Sequence, residues 1–175
     1  MKKIIAIFIY FIAICACLSG CGTKSPITVT LKGNCISLSE STDKITVSEL
    51  ENKLKKVTLE NSNKPLFDSV TITENKGIFY NSYRFVATTS PQKTTEELTL
   101  TVAMPGSPSG IRNGVIKEKQ VVFPITELSD SIELAAEFEE NNIGVMVGII
   151  VVLVVIMAAF FFFVKRGNGG GYGSY

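Results

Sequence analysis

The apolar residues of this 175-residue chain are concentrated near its two ends, and the segment between them mixes apolar and polar positions. Residues 4–16 form one apolar run, and residues 143–164 form a second run without a charged side chain. A helix over residues 143–164 would span about 33 Å at 1.5 Å per residue, which is enough for a hydrocarbon core of about 30 Å. We therefore predict a transmembrane helix over residues 143–164 and a separate domain over residues 21–142.

Short apolar stretches in the middle segment, most of them alternating with polar residues, predict β-strands. These stretches are residues 27–31, 35–36, 70–72, 78–87, 98–102, 121–125 and 132–138. Residues 74–77 (Glu-Asn-Lys-Gly) predict the turn of a hairpin, and Asn113-Gly114 predicts a second tight turn. Residues 107–110, which contain Pro and Gly, are expected to form a loop.

Residues 48–59 predict one clear helix in this domain. Ser48 lies three residues before Glu51, which is the spacing of a capping box. The apolar residues that follow at helical spacing are Leu50, Leu54 and Val57. The lysines between them form either a solvated face or a contact with anionic headgroups. Antiparallel strands with one or two helices place the domain in the α+β class.

The N-terminal run resembles a bacterial secretory leader. Two lysines precede the apolar residues, and the run ends in the small-residue motif Leu18, Ser19, Gly20 and Cys21. This motif resembles the lipobox of bacterial lipoproteins, in which the Cys sulfur receives a diacylglycerol and a peptidase cuts just before it. Residues 1–20 are therefore predicted to be a signal peptide, with cleavage between Gly20 and Cys21 and lipidation on Cys21. The alternative is an uncleaved anchor helix in which Cys21 is incidental.

The residues that flank the predicted transmembrane helix indicate its orientation. Lys165 and Arg166 follow it directly, and basic residues mark the cytoplasmic side of a membrane helix. The predicted leader exports everything after it, so both signals place the middle domain outside the cytoplasm and the tail, residues 165–175, inside. The tail is Gly-rich and too short to bury a core; its two tyrosines are either partner contacts or part of an untethered end.

Charge and composition narrow the range of functions. Four of the 17 basic residues are Lys2, Lys3, Lys165 and Arg166, which leaves 13 against all 16 acids in the middle domain. The resulting charge of about −3 argues against nucleic acid as a partner. The chain contains no His, and this absence removes the usual catalytic triads and most transition-metal sites.

Few side chains of the middle domain qualify as catalytic candidates. The acids considered are Asp68, Glu74, Glu96 and Glu97, and none of their spacings indicates cooperation. Cys35 is the single thiol of the domain, so a disulfide within it is excluded. We predict a protein without enzymatic activity, cofactor or metal. The aromatic residues over 78–87 are interpreted as core or cross-strand pairs, with a lipid-contact patch as the alternative.

Four segments of the domain resemble the LppM-like lipoprotein family. They are residues 77–85, 98–106 (Leu-Thr-Leu-Thr-Val-Ala-Met-Pro-Gly), 113–114 and 121–123. The layout is also similar, with a lipobox, one domain and a C-terminal membrane span. Two departures are Phe123, where Trp is frequent in the family, and the additional Ser-Pro-Ser-Gly at residues 107–110. The resemblance implies an α+β domain at the cell envelope with a lipid-binding-like fold, and it carries over no catalytic residue.

These observations together predict a membrane-anchored envelope lipoprotein with a non-catalytic binding domain. Its partner would be an envelope lipid, a glycolipid or an envelope protein. The alternative is an accessory or sensory subunit of a membrane protein complex, which contacts its partner through the transmembrane helix and the tail. Gly144 and Gly148 form a pair of small residues that could seat a second helix, although Gly is also frequent in membrane helices generally.

Overall fold

The structure is a computed structural model that describes residues 25–33, 36–59, 62–92, 97–126 and 130–167. Lys24–Asn141 form one compact unit, and the helix that follows belongs to another. In chain order the described elements are β1 (Thr28–Lys32), β2 (Ser37–Ser41), α1 (Val47–Lys55), β3 (Phe67–Lys76), β4 (Tyr80–Thr89), β5 (Leu98–Ala103), β6 (Ser107–Arg112), β7 (Val115–Lys117), β8 (Gln120–Ile125), β9 (Glu133–Asn141) and α2 (Ile143–Gly167).

The strands form two antiparallel sheets, so the predicted α+β class is confirmed. The first sheet has the order β2-β1-β5-β8-β7, and the second has the order β3-β4-β9-β6. The chain passes between the sheets repeatedly, because β5 and β6 are consecutive and lie in different sheets. At this crossing Gly106 has a φ of +91°, and a Cβ there would meet the carbonyl oxygen of Glu139. Only glycine fits this position without strain.

The core lies between the two sheets. The rings of Phe85 in β4 and Phe123 in β8 are 6.2 Å apart between centroids, and both side chains are fully buried. The inward positions alternate along each strand, as the sequence pattern predicts for β4, β5, β8 and β9. Each buried ring is a large apolar surface removed from water, and truncation of either to Ala would cost about 3–5 kcal/mol.

Helix α1 packs along one side of the domain and contacts an edge strand of each sheet. Its apolar face, Leu50 and Leu54, is fully buried. The backbone N–H of Ile72 in β3 donates to Oε1 of Glu51 at 2.6 Å. Lys53 Nζ lies 2.7 Å from Oε1 of Glu40 in β2. The helix therefore covers two strand edges that would otherwise be open to pairing with another chain.

The helix begins and ends earlier than the sequence predicts. Its capping box uses Thr46 and Glu49: the N–H of Glu49 donates to Oγ1 of Thr46 at 3.2 Å, and the N–H of Thr46 donates to Oε2 of Glu49 at 2.8 Å. The predicted pair of Ser48 and Glu51 is wrong, because Glu51 contacts β3 instead. The helix ends at Lys55, since the carbonyl of Val57 accepts from the N–H of Leu66 at 2.7 Å.

The β3–β4 hairpin is confirmed, but its turn lies further along the chain than predicted. Residues 74–76 continue β3 in register with β4, and the turn consists of residues 77–79. Strand β4 is supported on its other side by β9, which pairs as far as Tyr80 with Asn141. This second partner explains the extension, because a three-stranded ladder stabilises positions that an isolated hairpin would leave as a turn.

Residues 107–110 are a strand and not the predicted loop. They belong to β6, the edge strand of the second sheet, which shifts register between Pro108 and Gly110. An edge position with a bulge tolerates both residues, because the missing N–H of Pro faces no ladder partner. Asn113 has a φ of +59°, which agrees with the predicted turn. The short strand β7 follows and was not predicted, and β2 begins at Ser37, after the predicted segment 35–36.

Helix α2 contains the predicted membrane span. Its segment Ile143–Phe162 has a mean hydropathy of 3.2, and none of it is buried. This helix is long and apolar enough to cross a membrane. The predicted signal peptide, Cys35, Glu96 and the tail beyond Gly167 lie outside the described residues.

Candidate functional site

Both sequence ends of the β domain lie at the same end of the two sheets. Ser25 lines a cleft together with Tyr83. The hydroxyl of Tyr83 donates to Oε2 of Glu140 at 3.3 Å, and Asn141 follows as the last residue of β9. We call this the proximal end, defined by residues 25–27, the turn 77–79 and residues 140–141. The opposite distal end is defined by Thr89, Asn113, Ile125 and Ile132.

The cleft at the proximal end has a volume of about 470 Å³. It opens between the start of β1, the segment before α1, and the ends of β3 and β4. Its wall combines apolar and acidic side chains, among them Pro26, Ile27, Asp43, Ile45, Glu74 and Tyr83. A ligand with both an apolar part and polar hydrogen-bond donors fits such a wall, whereas an anion would meet carboxylates of its own sign.

Two carboxylates flank the hydroxyl of Tyr83 at this cleft. Glu74 and Tyr83 are direct partners in the β3–β4 ladder, and Glu140 accepts from both Tyr83 and, at 3.4 Å, the Nδ2 of Asn81. Burial, followed by the negative charges of Glu140 and Glu74, raises the pKa of Tyr83 to about 12. Tyr83 therefore keeps its proton at neutral pH, and it acts as a hydrogen-bond donor and not as a base or a nucleophile.

The acids considered in the sequence do not come together. Asp68 and Glu74 lie near opposite ends of β3, six residues or about 20 Å apart. Asp68 accepts a hydrogen bond from the hydroxyl of Ser90, and Glu97 lies before β5 on the exposed surface. No group of three or more metal-ligating side chains occurs in the described ranges.

The partner of Glu74 that sequence reasoning missed is Glu140. The signal was present in the alternation of β9, in which Leu134, Ala136 and Phe138 face the core and Glu140 is the next position in the series. The alternation of β3 reaches Glu74 in the same way, after Val70 and Ile72. The meeting of these two carboxylates depends on the pairing of both strands with β4, which the alternation alone does not determine.

The aromatic residues of the hairpin divide between the two interpretations made from the sequence. Tyr83 and Phe85 are buried, in agreement with a core role. Phe79 and Tyr80 lie at the turn and are each 54% exposed. Among the residues singled out in α2, Gly148 has an open environment, since a Cβ there would have no neighbour within 4 Å.

The lipobox residues Leu18, Ser19, Gly20 and Cys21 lie outside the described residues. Comparison with family models, with curated proteins and with solved structures finds no match to this chain. The resemblance to the LppM-like lipoprotein family therefore stays a prediction from the sequence.

Proposed function

We propose that this protein is a membrane-anchored lipoprotein of the bacterial envelope, and that its β domain is a non-catalytic binding module. The ligand would be a lipid, a glycolipid or a protein of the envelope. Lipidation of Cys21 after cleavage behind Gly20 would supply one anchor, and helix α2 would supply the second. Residues 165–175 would then lie in the cytoplasm and the β domain outside it.

One observation carries this proposal: the largest described cleft and both sequence ends of the domain share the proximal end. The chain is four residues from Cys21 at Ser25 and two residues from Ile143 at Asn141. An extended chain covers about 3.5 Å per residue. If Cys21 and α2 are both membrane anchors, the cleft lies within about 15 Å of the bilayer surface. A module with this geometry would meet ligands that are themselves in the membrane or close to it.

The chemistry of the cleft favours one class of ligand. Asp43 and Glu74 disfavour an anionic headgroup, and Tyr83 offers a hydroxyl that stays protonated. A neutral headgroup rich in hydroxyl groups, or a cationic group, would have its donors met by the carboxylates. The apolar side chains of Ile27, Ile45 and Pro105 supply a surface for the hydrocarbon part of such a ligand.

The first test concerns the anchor and uses the mature full-length protein. Its intact mass should correspond to a chain that begins at Cys21 and carries a diacylglycerol. An intact Met1 with an unmodified Cys21 would overturn the lipoprotein assignment and leave an uncleaved helix in its place.

The second test concerns the binding function and compares the two ends of the domain. Asp43→Trp fills the mouth of the proximal cleft, and Thr126→Trp, a matched exposed position, fills the distal cleft. Mass spectrometry of lipids that co-purify with the full-length protein should find a species retained by the wild type and by Thr126→Trp and lost from Asp43→Trp. Retention of the same lipids and proteins by all three would contradict a binding module at this cleft.

The accessory-subunit alternative is favoured by one feature of α2. Gly144 and Gly148 lie four residues apart near the start of the helix, and no neighbour of the described chain approaches a Cβ position at Gly148. Two such small residues allow close approach of a second helix. Site-specific crosslinking from Val147 in native membranes should then trap one dominant partner, and crosslinks only between copies of this chain would count against this function.

A further inference from the structure

The β3–β4 turn exposes three consecutive large apolar or aromatic side chains. Ile78 is 67% exposed, and Phe79 and Tyr80 are each 54% exposed. In the core of the same hairpin, apolar residues alternate with polar ones and face inward. The turn departs from this pattern because all three side chains present surface to solvent. Contiguous apolar exposure of this kind marks a surface that another phase or partner covers.

The register of the second sheet locates this turn relative to the end of β9. Tyr80 pairs with Asn141, and Asn81 pairs with Glu140. The turn therefore projects from the sheet beside the last residue of β9. The chain continues from Asn141 through Asn142 into α2 at Ile143. Two residues of extended chain cover about 7 Å, so the turn lies within a short reach of the point where the apolar helix begins.

The turn is held in place by its own backbone. The N–H of Gly77 donates to the carbonyl of Tyr80 at 3.0 Å, directly beyond the last ladder pair of Lys76 with Asn81. A Cβ at Gly77 would meet the same carbonyl oxygen, so the close approach needs glycine. The exposed side chains are thus presented by a closed hairpin that continues a four-stranded sheet.

We infer that residues 78–80 insert into the outer interface of the lipid bilayer that α2 crosses. This inference rests on the membrane anchoring proposed above. The residue types agree with that location, because Tyr combines an apolar ring with a polar hydroxyl and is enriched at the boundary between hydrocarbon and headgroups. The turn would act as a third contact with the membrane, and it would fix the rotation of the β domain and the direction in which the proximal cleft opens.

Charge does not drive this insertion. Lys76 is the basic side chain next to the turn, and its Nζ lies 3.6 Å from Oε1 of Glu74. The outward positions of β9 near the turn include Glu137 and Glu139, and Arg84 pairs with Glu137 at 3.3 Å. A surface of this balance has no net attraction to anionic headgroups. The inserted state should therefore depend on the apolar side chains and be nearly independent of the fraction of anionic lipid.

The absence of Trp from the chain allows a direct test with single Trp probes. Phe79→Trp and Tyr80→Trp report the turn. Ile111→Trp is the matched control, because Ile111 is 43% exposed and pairs with Ala136, about 17 Å along β9 from Asn141. Phe161→Trp, at a position 72% exposed in α2, reports membrane insertion of the helix. Each full-length variant is reconstituted into phosphatidylcholine vesicles with and without bromine near the headgroup end of the acyl chains.

We expect brominated lipid to quench the turn probes and Phe161→Trp and to leave Ile111→Trp unchanged. The turn probes should also show a blue-shifted emission, equal in vesicles with and without phosphatidylglycerol. Quenching at Phe161→Trp alone would overturn the insertion of the turn and leave the anchoring intact. Quenching at the turn without quenching at Phe161→Trp would support the insertion and overturn the anchoring by α2. A blue shift at the turn without quenching would mean that protein covers it, and would also overturn the inference.

Discussion

The two ends of the β domain use polar side chains in different ways. At the distal end, hydrogen bonds join segments that are far apart in sequence: the N–H of Ile132 donates to Oγ1 of Thr89 at 2.9 Å, and the hydroxyl of Ser131 donates to the carbonyl of Thr89 at 3.0 Å. At the proximal end, Glu74 and Tyr83 line an open cleft of about 470 Å³. Polar groups close the structure at one end and face a cavity at the other.

The clefts of the two ends differ in the same sense. The distal cleft is smaller, about 290 Å³, and its wall contains hydroxyl, amide and apolar groups with no charged side chain. Near it, Asn113 Nδ2 donates to the carbonyl of Glu133 at 2.9 Å, and Arg112 pairs with the carboxylate of Glu133 at the same distance. Polar groups that already have partners within the fold contribute to stability, and those that face a cleft are available to a ligand. The comparison therefore assigns structure to the distal end and binding to the proximal end.

The largest effect expected at the proximal end comes from removal of the predicted lipid anchor. Cys21→Ser should abolish lipidation and the cleavage that depends on it, so that nearly all of the protein retains Met1. The reason is that the thioether requires the Cys sulfur. Intact mass measurement checks the outcome, and Cys17→Ser, a change within the apolar run, serves as the control. Normal processing of Cys21→Ser, or equal failure of both variants, would contradict the lipobox.

A smaller effect is expected from a polar change at the distal end. Thr89→Val removes the acceptor of the Ile132 N–H and leaves a buried donor without a partner. The free energy of unfolding should fall by about 1–3 kcal/mol. Glu140→Gln at the proximal end keeps an oxygen that accepts from Tyr83 and should change stability by less than about 0.5 kcal/mol. Denaturation of the full-length protein in detergent measures both, and equal losses would break the comparison.

The proximal end should also show a pH dependence that the distal end lacks. Tyr83 binds its proton in the folded state up to about pH 12, and an unfolded Tyr releases it near pH 10. Because the folded state holds more protons in this window, stability falls as the pH rises from about 10 to about 12. The loss should be smaller in Tyr83→Phe than in the wild type when unfolding is followed against pH. Identical slopes would show that Tyr83 is not held protonated.

The smallest effect is expected on the side of the domain that belongs to neither end. Lys53→Met removes the 2.7 Å ion pair with Glu40, whose side chains are 47% and 20% exposed respectively. Exposed pairs contribute about 0.2–1 kcal/mol, and added salt should reduce the difference between variant and wild type. Thermal unfolding at low and high salt provides the measurement. A loss as large as that of Thr89→Val would mean that α1 contributes more to the fold than its surface contacts indicate.

Local patterns were enough to predict most elements of the domain. The hairpin, β5, β8, β9 and the apolar helix follow from alternation or from uniform hydropathy, since these patterns record which side of each element meets water. The errors fall where a distant partner decides. The capping box is at Thr46 and Glu49 because Glu51 contacts β3, and residues 107–110 form a strand because the edge of β9 is there to pair with them.

The sequence by itself determined the apolar helix, the strand-rich α+β domain before it, and a leader with the form of a lipobox, because each depends on residues that are neighbours along the chain. Only the tertiary structure decided that the strands divide into two sheets, that Glu74 and Glu140 meet across Tyr83, and that an aromatic turn lies beside the last residue of β9. These features depend on which strands pair and in what register. The pairing is set by the packing of side chains from distant segments into one core, and no short stretch of sequence contains that information.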